Sequence, residues 1–406
     1  MMACPSVVVF TFPPLGWQRV NMGRPLFEHN AVFRAAMRDC ARHCDPELPT
    51  PLLEVLYPDD ESTGPMLLPT QALPAVFAVE YALFAMCQFD ACAPDAVVGH
   101  SLGEFVAAVA AGVLTLQAAC TLVCARAAAM EALASTGSMV SLRAPVDVAQ
   151  SLLISEGLSG RATVAAINGP ASCVVSGDTG ALSQLVSALP VGTKSARVHV
   201  SHPDHSPAMA PVAAALCQRA TELYATNPPA PPTCLWTSTV TGAAMSEAEC
   251  ADPAYWARHA LAPVDYSAAL STVLAFAARR DGAHDDELES RLESSTAAIA
   301  AARAATASSC EGGVMLPAGP RCEGDGALYL MEMGDGMLEA FAADLLAATG
   351  STMPVVSSVL LPRAAVDATA TLRTRCSGGC AREAEACKED AMRALRADKL
   401  QRFLLT

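Results

Sequence analysis

Residues Val97–Glu104, with the sequence VVGHSLGE, decide the fold of this chain. An apolar run leads into them, and a long pattern of small residues at helical spacing follows, from Phe105 to Met130. Residues 99–103 fit the pattern G-x-S-x-G, in which a strand reverses sharply into a helix with the serine at the apex. The two glycines remove side chains that would collide in so tight a turn. The stretch therefore predicts a nucleophile elbow in which Ser101 is the nucleophile.

The composition indicates a globular protein that binds neither nucleic acid nor membrane. Of 406 residues, 52% are hydrophobic and 17% are charged, and the net charge is −15. An acidic surface repels nucleic acid. We expect no membrane span, because Gly, Thr and Gln interrupt the apolar stretch 105–123 and no run of 18 strongly apolar residues is visible. A first strand that begins at about Val7 leaves no room for a signal or transit peptide, which favours the cytoplasm.

The sixteen cysteines raise the question of disulfides or zinc, but their spacing supports neither. Cys40/Cys44, Cys120/Cys124 and Cys376/Cys380 are four residues apart, and no C-x-x-C occurs. Several of these cysteines lie in apolar helical patterns, where a buried free thiol is the ordinary state. We therefore expect reduced cysteines and no bound metal ion.

After Met130 the pattern changes to short alternating strands and helices. The predicted elements are strands at Ser138–Arg143, Thr163–Ile167, Cys173–Ser176 and Ala196–Val200, and helices at Val146–Glu156 and Ala181–Leu189. This order, βαββαβ, is the ferredoxin-like order.

Nine separated motifs resemble, in one order, those of the malonyl-CoA:acyl-carrier-protein transacylases, the acyltransferase domains of fatty-acid and polyketide synthesis. The resemblance covers about residues 6–345. The motifs are Asn21–Gly23, Thr70–Leu73, Gly99–Glu104, Arg126-Ala127, Ala166–Pro170, Val175–Gly177, Ser201–Pro207, Val240–Gly242 and Glu332–Gly334.

The resemblance implies an α/β fold with two domains and an active site between them. The large domain, 1–132 and 201–350, is expected to be α/β hydrolase-like, with a parallel sheet and the nucleophile elbow. A small ferredoxin-like subdomain, 133–200, is inserted in it. Low-complexity composition marks 279–325 as an insertion in the large domain, and 351–406 is a C-terminal extension with no assigned role.

The resemblance also implies the catalytic residues. A serine hydroxyl is a poor nucleophile until a base takes its proton. The stretch Ser201–Pro207 is similar to the family pattern S-H-A-F-H-S-P, whose second histidine is the base, and this histidine is His205. Backbone N–H groups of Leu102 and Leu15 would form the oxyanion hole. Leu15 departs from the family, which has a glutamine at this position.

Substrate-binding roles follow from the same resemblance. Arg126 lies in an apolar helical pattern and is expected to hold the free carboxylate of the acyl group as a bidentate fork; the alternative is an internal ion pair or a solvated helix edge. Asp204 replaces the phenylalanine of the family motif, which leaves acyl selection open. The other residues assigned to the substrate site are Gln71, which could equally be a polar residue at a helix start, His100 as a wall residue, Asn168, and His202 in a specificity or structural role.

The implied reaction is the ping-pong transfer of a malonyl or related carboxyacyl group from coenzyme A to the phosphopantetheine thiol of an acyl carrier protein, through acyl-Ser101. No cofactor is expected, because the coenzyme A thioester is the substrate. One alternative is a serine hydrolase or thioesterase, which would need an Asp between Ser101 and His205 to orient the histidine. Another is a degenerate, non-catalytic module that binds a carrier protein, suggested by the departures at Leu15, Asp204 and His259, the last of which stands where the family has an asparagine.

Overall fold

The computed structural model describes residues 7–58, 66, 68–89, 93–133, 137–198, 200–280, 328–332, 355–359 and 375–376. The predicted insertion at 279–325 lies outside these residues beyond position 280. Of the C-terminal extension, only two short strands are described.

The described elements alternate between strands and helices along most of the chain. The strands are β1 (Val7–Phe12), β2 (Ala96–Gly99), β3 (Gly137–Leu142), β4 (Ala162–Gly169), β5 (Ser172–Asp178), β6 (Ser195–Arg197), β7 (Leu235–Thr237), β8 (Val264–Asp265), β9 (Leu328–Glu332), β10 (Val355–Val359) and β11 (Arg375–Cys376). The helices are α1 (Arg24–His29), α2 (Ala31–Cys44), α3 (Leu52–Leu56), α4 (Pro69–Phe89), α5 (Gly103–Ala110), α6 (Leu116–Glu131), α7 (Val146–Ser155), α8 (Thr179–Ser187), α9 (Ala210–Thr226), α10 (Glu247–Ala251), α11 (Tyr255–Leu261) and α12 (Tyr266–Arg280).

The larger sheet has the strand order β11-β10-β9-β1-β2-β7. Its strands pair in parallel, except for the antiparallel pair β10/β11. The central strands β1 and β2 are almost wholly buried, which is why both are near-continuous apolar runs, as a parallel sheet covered on both faces requires. The predicted α/β fold with a parallel sheet is confirmed.

The smaller sheet has the order β6-β3-β5-β4-β8. Its first four strands, with α7 and α8 between them, follow the predicted βαββαβ order, and they pair antiparallel. The last strand, β8, comes from a later part of the chain and pairs in parallel with β4, Ala166 opposite Val264. β6 ends at Arg197, three residues before the predicted end of that strand. The division at residues 133 and 200 stays a prediction.

The helical pattern from Phe105 to Met130 forms two helices and not one. Gly112, with φ 75°, adopts a left-handed conformation directly after α5, which a glycine tolerates and other residues resist. Thr115 then caps α6, because its side chain accepts a hydrogen bond from the backbone N–H of Ala118 at 3.1 Å. The break turns the chain, so that α5 and α6 can pack on different neighbours.

Helix α4 is the one described helix long and apolar enough to cross a membrane, with a mean hydropathy of 1.5 in its most apolar window. The expectation that no such stretch exists is therefore wrong for this helix. Of that window, 78% is buried inside the fold, and α4 packs against α2 and α6. A core helix passes the same test of length and composition, so α4 is weak evidence for a membrane span.

The described cysteines are free thiols, and most are buried. Four of them meet where α2 packs on α6: Cys40, Cys44, Cys120 and Cys124. Burial raises the pKa of the Cys40 thiol, so it stays protonated at neutral pH.

Glu104, on the first turn of α5, fastens the helix that follows Ser101 to two other segments. Its Oε1 accepts hydrogen bonds from the backbone N–H of Thr239, at 2.7 Å, and from the hydroxyl of that threonine. Its Oε2 accepts from the hydroxyl of Tyr255 on α11. Glu104 is fully buried, and burial raises the pKa of its carboxyl to about 7. The elbow helix is thereby held against the 238–241 turn and α11.

Glu104→Ala is expected to lower the free energy of unfolding by about 3 kcal/mol, because three buried donors lose their acceptor at once. Urea unfolding followed by circular dichroism measures the change. The matched control is Glu249→Ala, which removes a half-buried capping-box carboxylate from α10 and should cost only about 1 kcal/mol. Equal losses for the two variants would contradict the anchoring role of Glu104.

Candidate active site

Ser101 sits at the apex of a tight turn between β2 and α5. Its φ is 51°, in the left-handed region that residues with side chains rarely adopt. A Cβ added to Gly99 would lie 2.2 Å from the backbone nitrogen of Glu104, and one added to Gly103 would lie 2.1 Å from the carbonyl oxygen of Phe12. No side chain fits at either position, so the backbone must pass this closely for the elbow to form.

The side chains of Ser101 and His205 meet at hydrogen-bond distance. Ser101 Oγ lies 2.7 Å from His205 Nε2. The other ring nitrogen, Nδ1, lies 3.0 Å from the carbonyl oxygen of Ala262. A carbonyl can only accept, so Nδ1 carries the proton and Nε2 is free to accept the proton of the serine hydroxyl. The residues predicted to be nucleophile and base thus lie together in the required tautomer.

Burial keeps His205 neutral. Desolvation is the largest cause that lowers its pKa, to about 3, and the positive charge of Arg126 acts in the same direction. At neutral pH the imidazole is therefore a proton acceptor and not an imidazolium ion.

Orientation of the histidine comes from a backbone carbonyl and not from a carboxylate. The serine hydrolase alternative requires an aspartate on Nδ1, and Ala262, at the end of α11, occupies that position. Sequence reasoning missed this residue, because any residue supplies a carbonyl and no side chain marks it.

Arg126 projects from α6 onto the nucleophile. Its Nη2 lies 3.3 Å from Ser101 Oγ and 3.6 Å from Asp204 Oδ1. Arg126 and Asp204 are both buried, which lowers the pKa of the guanidinium and raises that of the carboxyl; each charge opposes the shift of the other. Nε and Nη1 of Arg126 have no hydrogen-bond partner among the described residues. Of the alternatives for Arg126, a solvated helix edge is wrong, whereas an ion pair within the fold is present.

His259 fixes the backbone of the elbow at Ser101. Its Nε2–H donates to the carbonyl oxygen of Ser101 at 3.0 Å, and its ring packs against Phe105 and Trp256. The sequence marks His259 only as a departure from the family motif. In the fold its N–H positions the nucleophile, a role that an asparagine N–H can also perform.

His100 and Asn168 join the elbow to the smaller sheet. His100 Nε2 donates to Asn168 Oδ1, on β4, at 2.8 Å. Burial lowers the pKa of His100 to about 4, so it too is neutral. The two residues are assigned to the substrate site from the resemblance, and they contact each other. Of the two, His100 directly precedes Ser101 in the chain.

The remaining predicted residues make no side-chain hydrogen bond to Ser101 within the described part of the chain. His202 bonds to the hydroxyl of Ser201 at 2.8 Å and to the carbonyl of Leu133 at 3.4 Å, which fits the structural alternative. Gln71 lies half-buried in the first turn of α4, and its side chain makes no hydrogen bond within the described part of the chain. The N–H groups of Leu15 and Leu102 donate no hydrogen bond to the described residues, so both are available to an oxyanion.

A small cavity lies beside Asp204. Its lining residues are Leu15, Gln18, Pro69, Ala72, Leu73, Met130, Val200, Ser201 and Asp204. A larger cavity of about 780 Å³ lies at the smaller sheet, between α7, β4 and Pro203–Ala208, and none of Ser101, His205 and Arg126 lines it. The same three residues do not line the small cavity either; Asp204 is the residue that connects it to Arg126.

No group of three or more His, Cys, Asp or Glu side chains is arranged to hold a metal ion within the ranges that the structure describes. The absence of a metal or cofactor stays a prediction.

Comparison with known proteins assigns the family. The model of the acyl transferase domain matches residues 9–281. The chain belongs to the acyl transferase domain family. The match spans the elbow, the smaller sheet and His205, so the resemblance drawn from separated motifs is confirmed.

The relatives are segments of long synthases and separate enzymes. The chain is 36% identical over 280 residues to the spectinabilin polyketide synthase system protein NorB of Streptomyces orinoci. The aligned region is 68% of this chain and 13% of NorB. The acyltransferase domain from the second module of the salinomycin polyketide synthase is 30% identical, with a TM-score of 0.66 over 88% of this chain and 69% of that one. The malonyl CoA-acyl carrier protein transacylase of Burkholderia pseudomallei is 25% identical, with a TM-score of 0.58 over 72% and 98%.

This acyl transferase domain spans between 3% and 14% of the length of the curated relatives it matches. The similarity therefore assigns the domain and leaves the activity of any whole protein to be argued from the site.

The reactivity of Ser101 should persist at pH values where an ordinary histidine base would fail. The lowered pKa of His205 keeps its Nε2 unprotonated below pH 6.5, so labelling of Ser101 by a fluorophosphonate should stay near its plateau from about pH 8 down to about pH 5.5. Labelling rates over this range test the expectation, with Ser101→Ala as the unlabelled control. Arg126→Ala should move the acid limb to higher pH, because one cause of the lowered pKa is removed. A wild-type midpoint near 6.5 would contradict the argument.

Proposed function

We propose that this domain transfers a malonyl or related carboxyacyl group from coenzyme A to the phosphopantetheine thiol of an acyl carrier protein, through an acyl-Ser101 intermediate. The observation that carries the proposal is the 2.7 Å contact between Ser101 Oγ and His205 Nε2, with Arg126 Nη2 3.3 Å from the same oxygen. A nucleophile, its base and a cation for a carboxylate then converge on one atom.

The relatives support the reaction class. NorB is a polyketide synthase system protein, and the Burkholderia relative is a malonyl CoA-acyl carrier protein transacylase. The second name gives malonyl-CoA and an acyl carrier protein, and the first gives polyketide synthesis; we propose the same donor and acceptor for this chain, in fatty-acid or polyketide synthesis.

In the first half-reaction, Ser101 Oγ attacks the thioester carbonyl carbon, and His205 Nε2 takes the hydroxyl proton. The oxyanion would rest on the N–H groups of Leu102 and Leu15; removal of one such donor typically costs about 10²–10³ in rate. Collapse of the tetrahedral intermediate breaks the carbon–sulfur bond, and the proton on Nε2 passes to the leaving thiolate of coenzyme A.

In the second half-reaction the phosphopantetheine thiol of the carrier enters and the steps reverse. His205 takes the thiol proton, the sulfur attacks the acyl-serine carbonyl, and the proton returns to Ser101 Oγ. The Ala262 carbonyl keeps Nδ1 protonated throughout, so the same ring nitrogen serves both halves.

Arg126 would bind the free carboxylate of a carboxyacyl group. A guanidinium binds a carboxylate with two parallel N–H donors, and Nε and Nη1 have no protein partner in the described residues. We propose that no metal or cofactor takes part, because Ser101 and His205 together supply the nucleophile and the base. We place the reaction in the cytoplasm, with coenzyme A thioester and carrier protein as partners.

Incubation with malonyl-CoA should add one malonyl group to the intact protein, and Ser101→Ala should show no adduct. Intact-mass spectrometry measures both. Addition of a phosphopantetheinylated carrier protein should then remove the adduct and malonylate the carrier.

The alternatives give different results in the same experiment. Loss of the adduct to free malonate, at a rate that the carrier does not change, would favour a hydrolase or thioesterase. No adduct with any acyl-CoA, by a protein that still binds the carrier, would favour a non-catalytic binding module.

A further inference from the structure

Asp204 stands directly before the base, in the loop that carries His205 to Ser101. The family motif has a phenylalanine at this position, where the chain places a carboxylate. Asp204 is 5% exposed, and its Oδ1 makes no hydrogen bond within the part of the chain that the structure describes. A buried carboxylate oxygen without a hydrogen bond is costly unless a charge compensates it, so the neighbours of Asp204 decide what it does.

The charged neighbour of Asp204 is the arginine proposed to bind substrate. Arg126 Nη2 lies 3.6 Å from Asp204 Oδ1 and 3.3 Å from Ser101 Oγ. The titratable groups that face Asp204 are Arg126 and His202. The acyl carboxylate of a malonyl-Ser101 ester would bind a guanidinium whose Nη2 already lies beside Asp204, although Nε and Nη1 have no partner among the described residues.

Two carboxylates cannot share one buried guanidinium without a penalty. The attraction of Arg126 for a substrate carboxylate is offset by the repulsion between that carboxylate and Asp204. An uncharged acyl group meets no such repulsion, because the Arg126–Asp204 pair is already neutral as a whole.

We infer that Asp204 is a specificity-determining residue, whose carboxylate competes with the substrate for Arg126 and makes Ser101 accept uncharged acyl groups, such as acetyl, about as readily as malonyl. The inference rests on the proposed acyl-Ser101 intermediate. It concerns which acyl groups load and not whether loading occurs.

The first test uses the wild-type chain. With equal concentrations of malonyl-CoA and acetyl-CoA, intact-mass spectrometry at early times should find both adducts on Ser101, in amounts within about tenfold of each other. A preference for malonyl well beyond about a hundredfold, the value that an unopposed charged fork can supply, would overturn the inference. This result does not depend on the folding of any variant.

The second test removes the competing charge and keeps the shape. Asp204→Asn should raise the ratio of malonyl to acetyl loading by about tenfold or more, because Arg126 is then free for the substrate carboxylate. The matched control is Asp178→Asn, which removes the aspartate of an exposed pair with Arg161, at 2.6 Å, in the smaller sheet; it should leave the ratio unchanged. A ratio unaltered in Asp204→Asn would show that the Arg126–Asp204 pair is purely structural.

A double variant separates charge competition from altered packing. In Arg126→Gln/Asp204→Asn neither charge remains, so the gain in malonyl selectivity should disappear relative to Asp204→Asn. A gain that persists without Arg126 would contradict the mechanism. If no acyl group of either kind loads onto Ser101, the proposed function itself fails, and this result is distinct from loading that ignores Asp204.

Discussion

The site depends on one constraint, the close passage of backbone at the elbow. β2 must turn into α5 so tightly that neither Gly99 nor Gly103 has space for a Cβ, and Ser101 is left with a positive φ. This conformation costs of order 1–3 kcal/mol and persists only when the surroundings impose it. Here they do: His259 holds the carbonyl of Ser101 at 3.0 Å, and the hydrogen bonds to Glu104 fasten the following helix.

The electrostatics of the site follow from its burial. Desolvation lowers the pKa values of His205, His100 and His259 and keeps the three side chains near Ser101 neutral. Each neutral ring has one nitrogen that donates a hydrogen bond and one that accepts. Against this neutral background, Arg126 and Asp204 are the charges next to the nucleophile in the described structure. A charge on an incoming acyl group would therefore interact most strongly with this pair.

The departures from the family motif act at different points of the site. His259 stands where the family has an asparagine and still supplies an N–H, so the hydrogen bond to the Ser101 carbonyl is kept. Leu15 replaces a glutamine but keeps its backbone N–H, the group that an oxyanion needs. Asp204 is the departure that changes the charge, and it does so beside Arg126. Of the three departures, Asp204 is therefore the one that bears on the proposed acyl selection.

The sequence by itself determined the elements and motifs whose signal is local. The glycine spacing around Ser101, the apolar runs and helical patterns, and the order βαββαβ are properties of neighbouring residues, so they can be recognised without a structure. The resemblance added His205 and Arg126, since motifs keep their order along a chain.

The tertiary structure decided what depends on approach between distant segments. Three contacts of the site join residues between 57 and 158 positions apart. They are the hydrogen bond between His205 and the Ala262 carbonyl, the hydrogen bond from His259 to the Ser101 carbonyl, and the ion pair of Asp204 with Arg126. The first of these uses backbone that no residue type reveals. The third joins two charges whose compensation depends on distance and burial. The break after α5 was also decided by the backbone. The helical pattern of the sequence continues through Gly112, but a φ of 75° at this residue ends the helix.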